Sequence, residues 1–166
     1  LIVDFSPINS LIESPPNVIP EVNSTLQFLQ GKALYTSLDL RYAFLGLKLD
    51  EESKAITTFL TPSSSFQWES LPTGCANSPM HFSNACQKIL HYEPVRDENG
   101  KIVYTAPNVV KLKLSILEYV INYLDDILIA TPLASTYNKT LENHFTAVEQ
   151  TIERLAFHGA KINVSK

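Results

Sequence analysis

Three aspartates stand where apolar residues would be expected. Asp39 lies in the stretch "LYTSLDL", and Asp125 and Asp126 adjoin each other in "VINYLDDILIA". Charge is costly to bury unless it is paired or bound to a metal. Carboxylates are the hard oxygen donors that Mg²⁺ takes, usually one or two of them together with substrate phosphates. Aspartates on neighbouring strands could hold two cations about 4 Å apart, the arrangement that serves in-line phosphoryl displacement. Taken singly, Asp39 could equally end a strand and Asp125–Asp126 could make an ordinary turn. It is their occurrence together that points to chemistry.

Positioning such groups requires paired strands. "ALYTSLDL" alternates, with Leu34, Thr36, Leu38 and Leu40 on one side and Tyr35, Ser37 and Asp39 on the other, which predicts a strand. "EYVINYL" and "ILIAT" read as two strands of a hairpin with the aspartate pair at its tip. Adjacent strand residues face opposite ways, so the two aspartates should play unequal parts. Asp125 is most simply the one that faces a site, with Asp126 at its margin. "AITTFLTP" and "FQWESLP" predict two further strands around a turn at Pro62–Ser65.

Helices are expected at three places. "EVNSTLQFLQGK" puts Val22, Leu26 and Leu29 on one face and offers Gly31 as a C-cap. "NSPMHFSNACQKILHYE" offers Ser78 as N-cap, Pro79 at the first helical position and a stripe of Phe82, Cys86, Ile89 and Tyr92. "LENHFTAVEQTIERLAFHG" carries Leu141, Phe145, Val148, Ile152 and Leu155 at helical spacing, ending at Gly159. Four prolines make the first twenty residues extended and loop-like. "RDENGKIVYTAPN" is a polar, turn-rich excursion around Asn99–Gly100. Strands interspersed with a few helices give an α+β class.

The 166 residues suffice for one domain with a real core. A hydrophobic fraction of 45% and a charged fraction of 18% are those of a globular chain. No apolar run approaches the roughly 20 residues of a membrane span, and no signal peptide is visible. The chain starts without Met inside an apolar run, so a fragment of a longer polypeptide is expected. Cys75 and Cys86 form no metal or disulfide pattern, and reduced thiols fit an intracellular setting. Sequon matches at Asn23, Asn138 and Asn163 are attributed to chance. The net charge of −4 speaks against a nucleic-acid footprint, which is normally basic.

Four stretches in order, "LYTSLDLRYAF", "WESLPTGCANSPMHF", "INYLDDILIA" and "HGAKINVSK", resemble the palm of reverse transcriptases of the retroviral and LTR-retrotransposon type. The resemblance extends over nearly the whole chain. It implies a polymerase palm, an antiparallel sheet packed on helices, with part of the fingers. About 1–30 and 50–75 would be fingers-like in a single domain fragment over 1–166, with thumb and RNase H not present. It implies RNA-directed DNA polymerase activity, transferring a nucleotide from a dNTP to a primer 3′-hydroxyl on an RNA or DNA template. Two Mg²⁺ ions would serve as cofactors, with Mn²⁺ as a substitute.

Carried onto these residues, the resemblance makes Asp39 and Asp125 metal ligands. Asp126 is catalytic but less direct, and the Leu40 carbonyl completes the site. Phe44 would lie under the sugar of the incoming nucleotide and exclude a 2′-hydroxyl, although a core Phe would look the same. Gly74, in "LPTGCANSP", permits close approach to nucleotide or template. Thr73 stands where relatives carry Gln or an aromatic, so sugar contacts should differ. Tyr123 and Leu124 would pack near the primer terminus, or serve as plain core. Lys166 fits a late lysine acting as general acid near the pyrophosphate, and Arg41 is a substrate-binding or merely solvated cation. "LIVDFSPIN" resembles a fingers segment, with Ser6 where relatives carry Arg.

The expected partners are a template–primer duplex, dNTPs and the remainder of a Pol polyprotein with thumb, RNase H and integrase, without a membrane. The expected location is cytoplasmic, in a virus-like particle. Absence of a duplex-clamping thumb would reconcile the acidic balance with a nucleic-acid substrate. Two other readings keep the fold: a decayed or domesticated nucleic-acid-binding module, and an RNA-directed RNA polymerase, against which Phe44 argues.

Overall fold

The computed structural model describes residues 3–13, 22–91, 93–100, 102–105 and 118–163. Near the start, a single turn of helix, α1 (Ser6–Asn9), replaces the extended chain expected there, with Pro7 in its opening positions. Helix α2 (Val22–Leu29) ends at Gly31, whose φ of +74° suits a residue without Cβ. Strand β1 (Lys32–Arg41) shows the alternation read from its sequence. A 3₁₀ turn (Phe44–Gly46) follows it.

The stretch expected to be a strand at Ala55 is instead the end of helix α3 (Glu51–Ile56). Local chemistry explains the difference. Asp50 caps the helix by accepting the Ser53 N–H at 2.7 Å, and Glu51 and Glu52 occupy the first turn, where carboxylates suit the helix dipole. Only β2 (Phe59–Leu60) and β3 (Ser65–Phe66) remain as a short hairpin. Helix α4 (Ser78–His91) begins as expected, but Ser78 is not its cap: the buried hydroxyl donates to the Pro72 carbonyl at 2.6 Å. Tyr92, expected on its apolar stripe, lies outside the described residues. The excursion forms a separate two-stranded ribbon, β4 (Glu93–Arg96) with β5 (Ile102–Thr105).

The central sheet is antiparallel, in the order β6 (Val120–Tyr123), β7 (Asp126–Pro132), β1 and β8 (Lys161–Ile162). Helix α4 packs against β6, and α5 (Tyr137–Phe157) packs against β7, β1 and α4. Leu40, Phe82, Cys86, Leu90, Ile127, Ile129 and Leu155 form one buried cluster between sheet and helices. The other sheet face carries exposed Tyr35, Ser37, Tyr123 and Asp126 with half-buried Asp39. Among the described residues no helix is long and apolar enough to cross a membrane.

Helix α5 is rotated about one residue from its sequence reading. Its buried positions are Thr140, His144, Ala147, Thr151 and Leu155. Phe145 and Ile152, expected inside, are 66% and 38% exposed, and Leu141 and Val148 are half-buried. Polar groups can occupy the inner face because each finds a partner. Thr151 donates to the Ala147 carbonyl at 2.7 Å, and the Thr140 hydroxyl accepts the Ala134 N–H at 2.9 Å. The His144 ring bridges the hydroxyls of Thr36 on β1 at 2.8 Å and Thr131 on β7 at 3.0 Å. Helix and sheet are thereby locked in register.

Leu155→Ala should cost about 2–5 kcal/mol, the range for emptying a buried leucine site. Phe145→Ser should lie within about 0.5 kcal/mol of neutral. Denaturant midpoints check both, and the apolar stripe, which holds Phe145 as well as Leu155, would make both substitutions costly. Burial lowers the pKa of His144, as it does for His91 and His158 with help from Arg154. A histidine depressed on folding binds more protons when unfolded. Its contribution is therefore whole above the unfolded pKa of about 6.5 and declines as pH falls through the folded one. Stability should be lower at pH 5.5 than at pH 7.5, and His144→Gln should shrink that difference. An equal pH response in both proteins would refute this role.

Candidate active site

The acidic residues come together because β1 and β7 pair in one register. Asp39 is the direct cross-strand partner of Asp126, and Tyr123 is the partner of Asp126 on the other side. Directly opposite residues in an antiparallel pair point to the same face, with Cβ atoms about 5 Å apart. Asp39, Asp126 and Tyr123 therefore share the open face of the sheet. The hairpin tip lies one residue earlier than the sequence suggested: the connection is Leu124–Asp125, and Asp126 already belongs to β7. Consequently Asp126, not Asp125, stands across from Asp39.

Asp125 is held close by its backbone, its carbonyl accepting the Leu40 N–H at 3.3 Å. Its carboxylate is also felt on the helical side. The Cys86 thiol is pushed up to about 12, first by burial and then by the charge of Asp125. That thiol is protonated and unreactive at neutral pH. Leu124 takes a φ of +54°, a left-handed conformation rare for a branched side chain. Such strain, on the order of 1–3 kcal/mol, concentrates at functional sites.

Asn163, immediately after β8, touches Asp39 twice. Its backbone N–H donates to the Asp39 carbonyl at 2.8 Å, and its side-chain amide donates to Asp39 Oδ2 at 2.9 Å. In the sequence Asn163 shows only as a sequon match, and nothing but its place in "KIN" marks it.

Phe44 sits in the 3₁₀ turn, half-buried, its ring 5.0 Å from that of Phe82 in the core. The core thus fixes one side of Phe44 and leaves part of it accessible. The chain after this turn is tied to the loop that carries Thr73 and Gly74: Leu71 N–H donates to the Leu47 carbonyl at 2.8 Å and Leu49 N–H to the Glu69 carbonyl at 3.1 Å. Thr73 and Gly74 are exposed, and Gly74 has a φ of +95°. Asn9 clamps this loop, donating to the Gly74 carbonyl at 2.9 Å and accepting the Ala76 N–H at 2.8 Å. A loop with a left-handed glycine is thus held by one amide from α1, a role that the sequence did not disclose.

Arg41 and Lys161 are cross-strand partners at the rim of a cleft of about 380 Å³ whose floor includes Leu40, Phe82, Cys86 and Leu155. The Arg41 guanidinium lies over the Tyr42 ring, 4.9 Å from its centre, and holds the Tyr42 hydroxyl below its usual pKa, with Lys161 adding to the effect. Lys166 lies outside the described residues.

Among the described residues, no group of three or more His, Cys, Asp or Glu side chains is gathered tightly enough to hold a metal ion unaided. The donor set nonetheless fits Mg²⁺ in kind. That ion uses only one or two carboxylates and takes its other ligands from water and substrate phosphate, and Asp39 and Asp126 share one face.

The family model described as reverse transcriptase (RNA-dependent DNA polymerase) matches residues 2–166. An enzymatic polyprotein of figwort mosaic virus (strain DxS) is 31% identical over 91 residues, covering 55% of this chain and 14% of the polyprotein. The retrovirus-related Pol polyprotein from transposon opus of Drosophila melanogaster is 24% identical over 166 residues, 100% of this chain and 14% of that one. The chain therefore spans a small part of these relatives. A crystal structure of a prototype foamy virus protease-reverse transcriptase mutant superposes with a TM-score of 0.67 at 19% identity, covering 97% of this chain and 18% of that one. That likeness concerns the fold, which is α+β, an antiparallel sheet backed by helices. With the acidic register and a match over almost every residue, the chain belongs to the reverse transcriptase (RNA-dependent DNA polymerase) family.

Proposed function

We propose that this chain is the catalytic palm, with part of the fingers, of an RNA-directed DNA polymerase. It would act on a template–primer duplex and dNTPs within a larger Pol polyprotein. The observation that carries the reading is the register that sets Asp39 opposite Asp126, with Asp125 in the adjoining turn. Relatives named as polyproteins support the larger context.

Asp39, Asp125 and Asp126, with the Leu40 carbonyl, would hold two divalent cations. Mg²⁺ when bound supplies the positive charge that lowers the pKa of a primer 3′-hydroxyl and offsets charge on the phosphoryl group. The chain's own part is to place the reactants. The open sheet face offers Tyr123, and the adjoining turn offers strained Leu124, to the primer end. Phe44, braced by Phe82, blocks the space of a 2′-hydroxyl by steric clash. Gly74, fixed through Asn9, presents backbone without side chain to the nucleotide or template. Thr73 supplies a short hydroxyl, and Arg41 meets phosphate at the rim. Lys166 remains the proposed proton donor to the leaving pyrophosphate. The protein would work in the cytoplasm, in a virus-like particle.

Primer extension on an RNA template with Mg²⁺ tests the assignment in the intact protein. Asp125→Asn and Asp126→Asn should each lower the rate by about 10³-fold or more, the scale of several kcal/mol of lost charge stabilisation. Asp126→Asn should at the same time raise metal-free stability by about 0.2–1 kcal/mol, because it removes a like charge directly across from Asp39. Full activity in either variant would overturn the assignment. Phe44→Ala should raise ribonucleotide use relative to dNTP by about 10²-fold, the scale at which a pocket discriminates a single hydroxyl. Unchanged selectivity in competition assays would refute the steric gate.

A further inference from the structure

We infer that Asn163 is a positioning residue for the acidic centre: its amide fixes the rotation of the Asp39 carboxylate and so sets cation affinity. This rests on the polymerase reading and adds to it a residue from β8. The two contacts do different work. The backbone N–H of Asn163 on the Asp39 carbonyl continues the β1–β8 ladder, in which Leu40 faces Ile162 and Arg41 faces Lys161. That bond fixes where the Asp39 backbone sits. The side-chain bond to Oδ2, at 2.9 Å, fixes where its carboxylate points.

The carboxylate needs such a constraint because Asp126 is directly across the ladder. Like charges repel in that arrangement, and an unrestrained Asp39 side chain would turn away from its partner. An amide is suited to the task on two counts. It donates a hydrogen bond without a positive charge, so it leaves the net negative charge intact for a cation. It also does not titrate, so the restraint is the same at every working pH. A carboxylate has about four lone-pair sites, so a single amide N–H on Oδ2 does not by itself exhaust its capacity to accept. Lysine or arginine at this position would orient Asp39 equally well but would compete electrostatically with the ion.

The intact protein with Asn163→Leu or Asn163→Ala, and with Asp39→Asn as reference, tests this. Mn²⁺ is titrated by the electron paramagnetic resonance signal of the free ion. The sample contains template, a primer ended in a dideoxynucleotide and the matching dNTP, so no turnover occurs. Single-turnover extension is measured in parallel on an unblocked primer. Loss of a group that orients a metal ligand typically costs 10–100-fold. Both Asn163 variants should bind Mn²⁺ about 10–100-fold more weakly, with dNTP KM at saturating Mn²⁺ little changed and thermal midpoints near wild type. The alanine variant keeps the backbone bond and guards against a misfolded leucine variant. Wild-type Mn²⁺ affinity in a folded Asn163 variant, with Asp39→Asn impaired, would overturn this role alone. Wild-type affinity and extension in Asp39→Asn would overturn the polymerase reading and this role with it.

Discussion

The pairing of β1 with β7 is the constraint from which the rest of the molecule follows. On one face it buries Leu40, Ile127 and Ile129 against α4 and α5. On the other it sets two carboxylates side by side. The first is favourable at about 25 cal/mol per Å² of apolar surface removed from water, and the second is unfavourable. Because side chains alternate with a period of two, a slip of one residue would exchange the faces, exposing the isoleucines and burying Asp126. The hydrophobic core thus enforces an electrostatic arrangement that the acidic residues would not adopt by themselves.

The parts legible in the sequence are those where one period dominates. The alternation of β1 predicted its faces correctly, including Asp39 outward, and α4 and α5 exist where apolar spacing placed them. Apolar spacing misleads where polar residues do the packing. Apolar spacing in α5 pointed to Phe145 and Ile152, yet the helix buries Thr140, His144 and Thr151, because their hydrogen-bond partners lie on β1, on β7, in the preceding loop and within the helix. No local pattern records those partners. Ala55 and Ile56 alternate like a strand, but the Asp50 cap won locally. The hairpin tip was displaced by one residue because Leu124 accepts a left-handed backbone, a choice that propensity disfavours. Which aspartate faces which is therefore a matter of register, and register is not written in either strand alone.

Small neutral side chains carry much of the long-range order. Asn9 ties α1 to the Gly74 loop, Asn122 on β6 reaches Ser83 on α4 at 3.2 Å, and His144 joins two strands to one helix. Uncharged donors and acceptors can be satisfied in a half-buried setting without the desolvation cost of an ion pair. The ion pairs of the described residues, Lys54 with Glu51 and Glu69 and Lys139 with Glu142, involve exposed carboxylates and contribute little.

The order of strands in the central sheet has a consequence for biosynthesis. Both neighbours of β1 in space come from the C-terminal part of the described chain. During translation β1 must leave the ribosome long before either neighbour exists, presenting two unpaired edges and an uncovered leucine face. Such edges invite pairing with other chains. Contacts between segments so distant also close slowly. The juxtaposition of the two carboxylates is then among the last things to form in a nascent molecule, and a chain cut short before β7 would carry Asp39 with nothing opposite it.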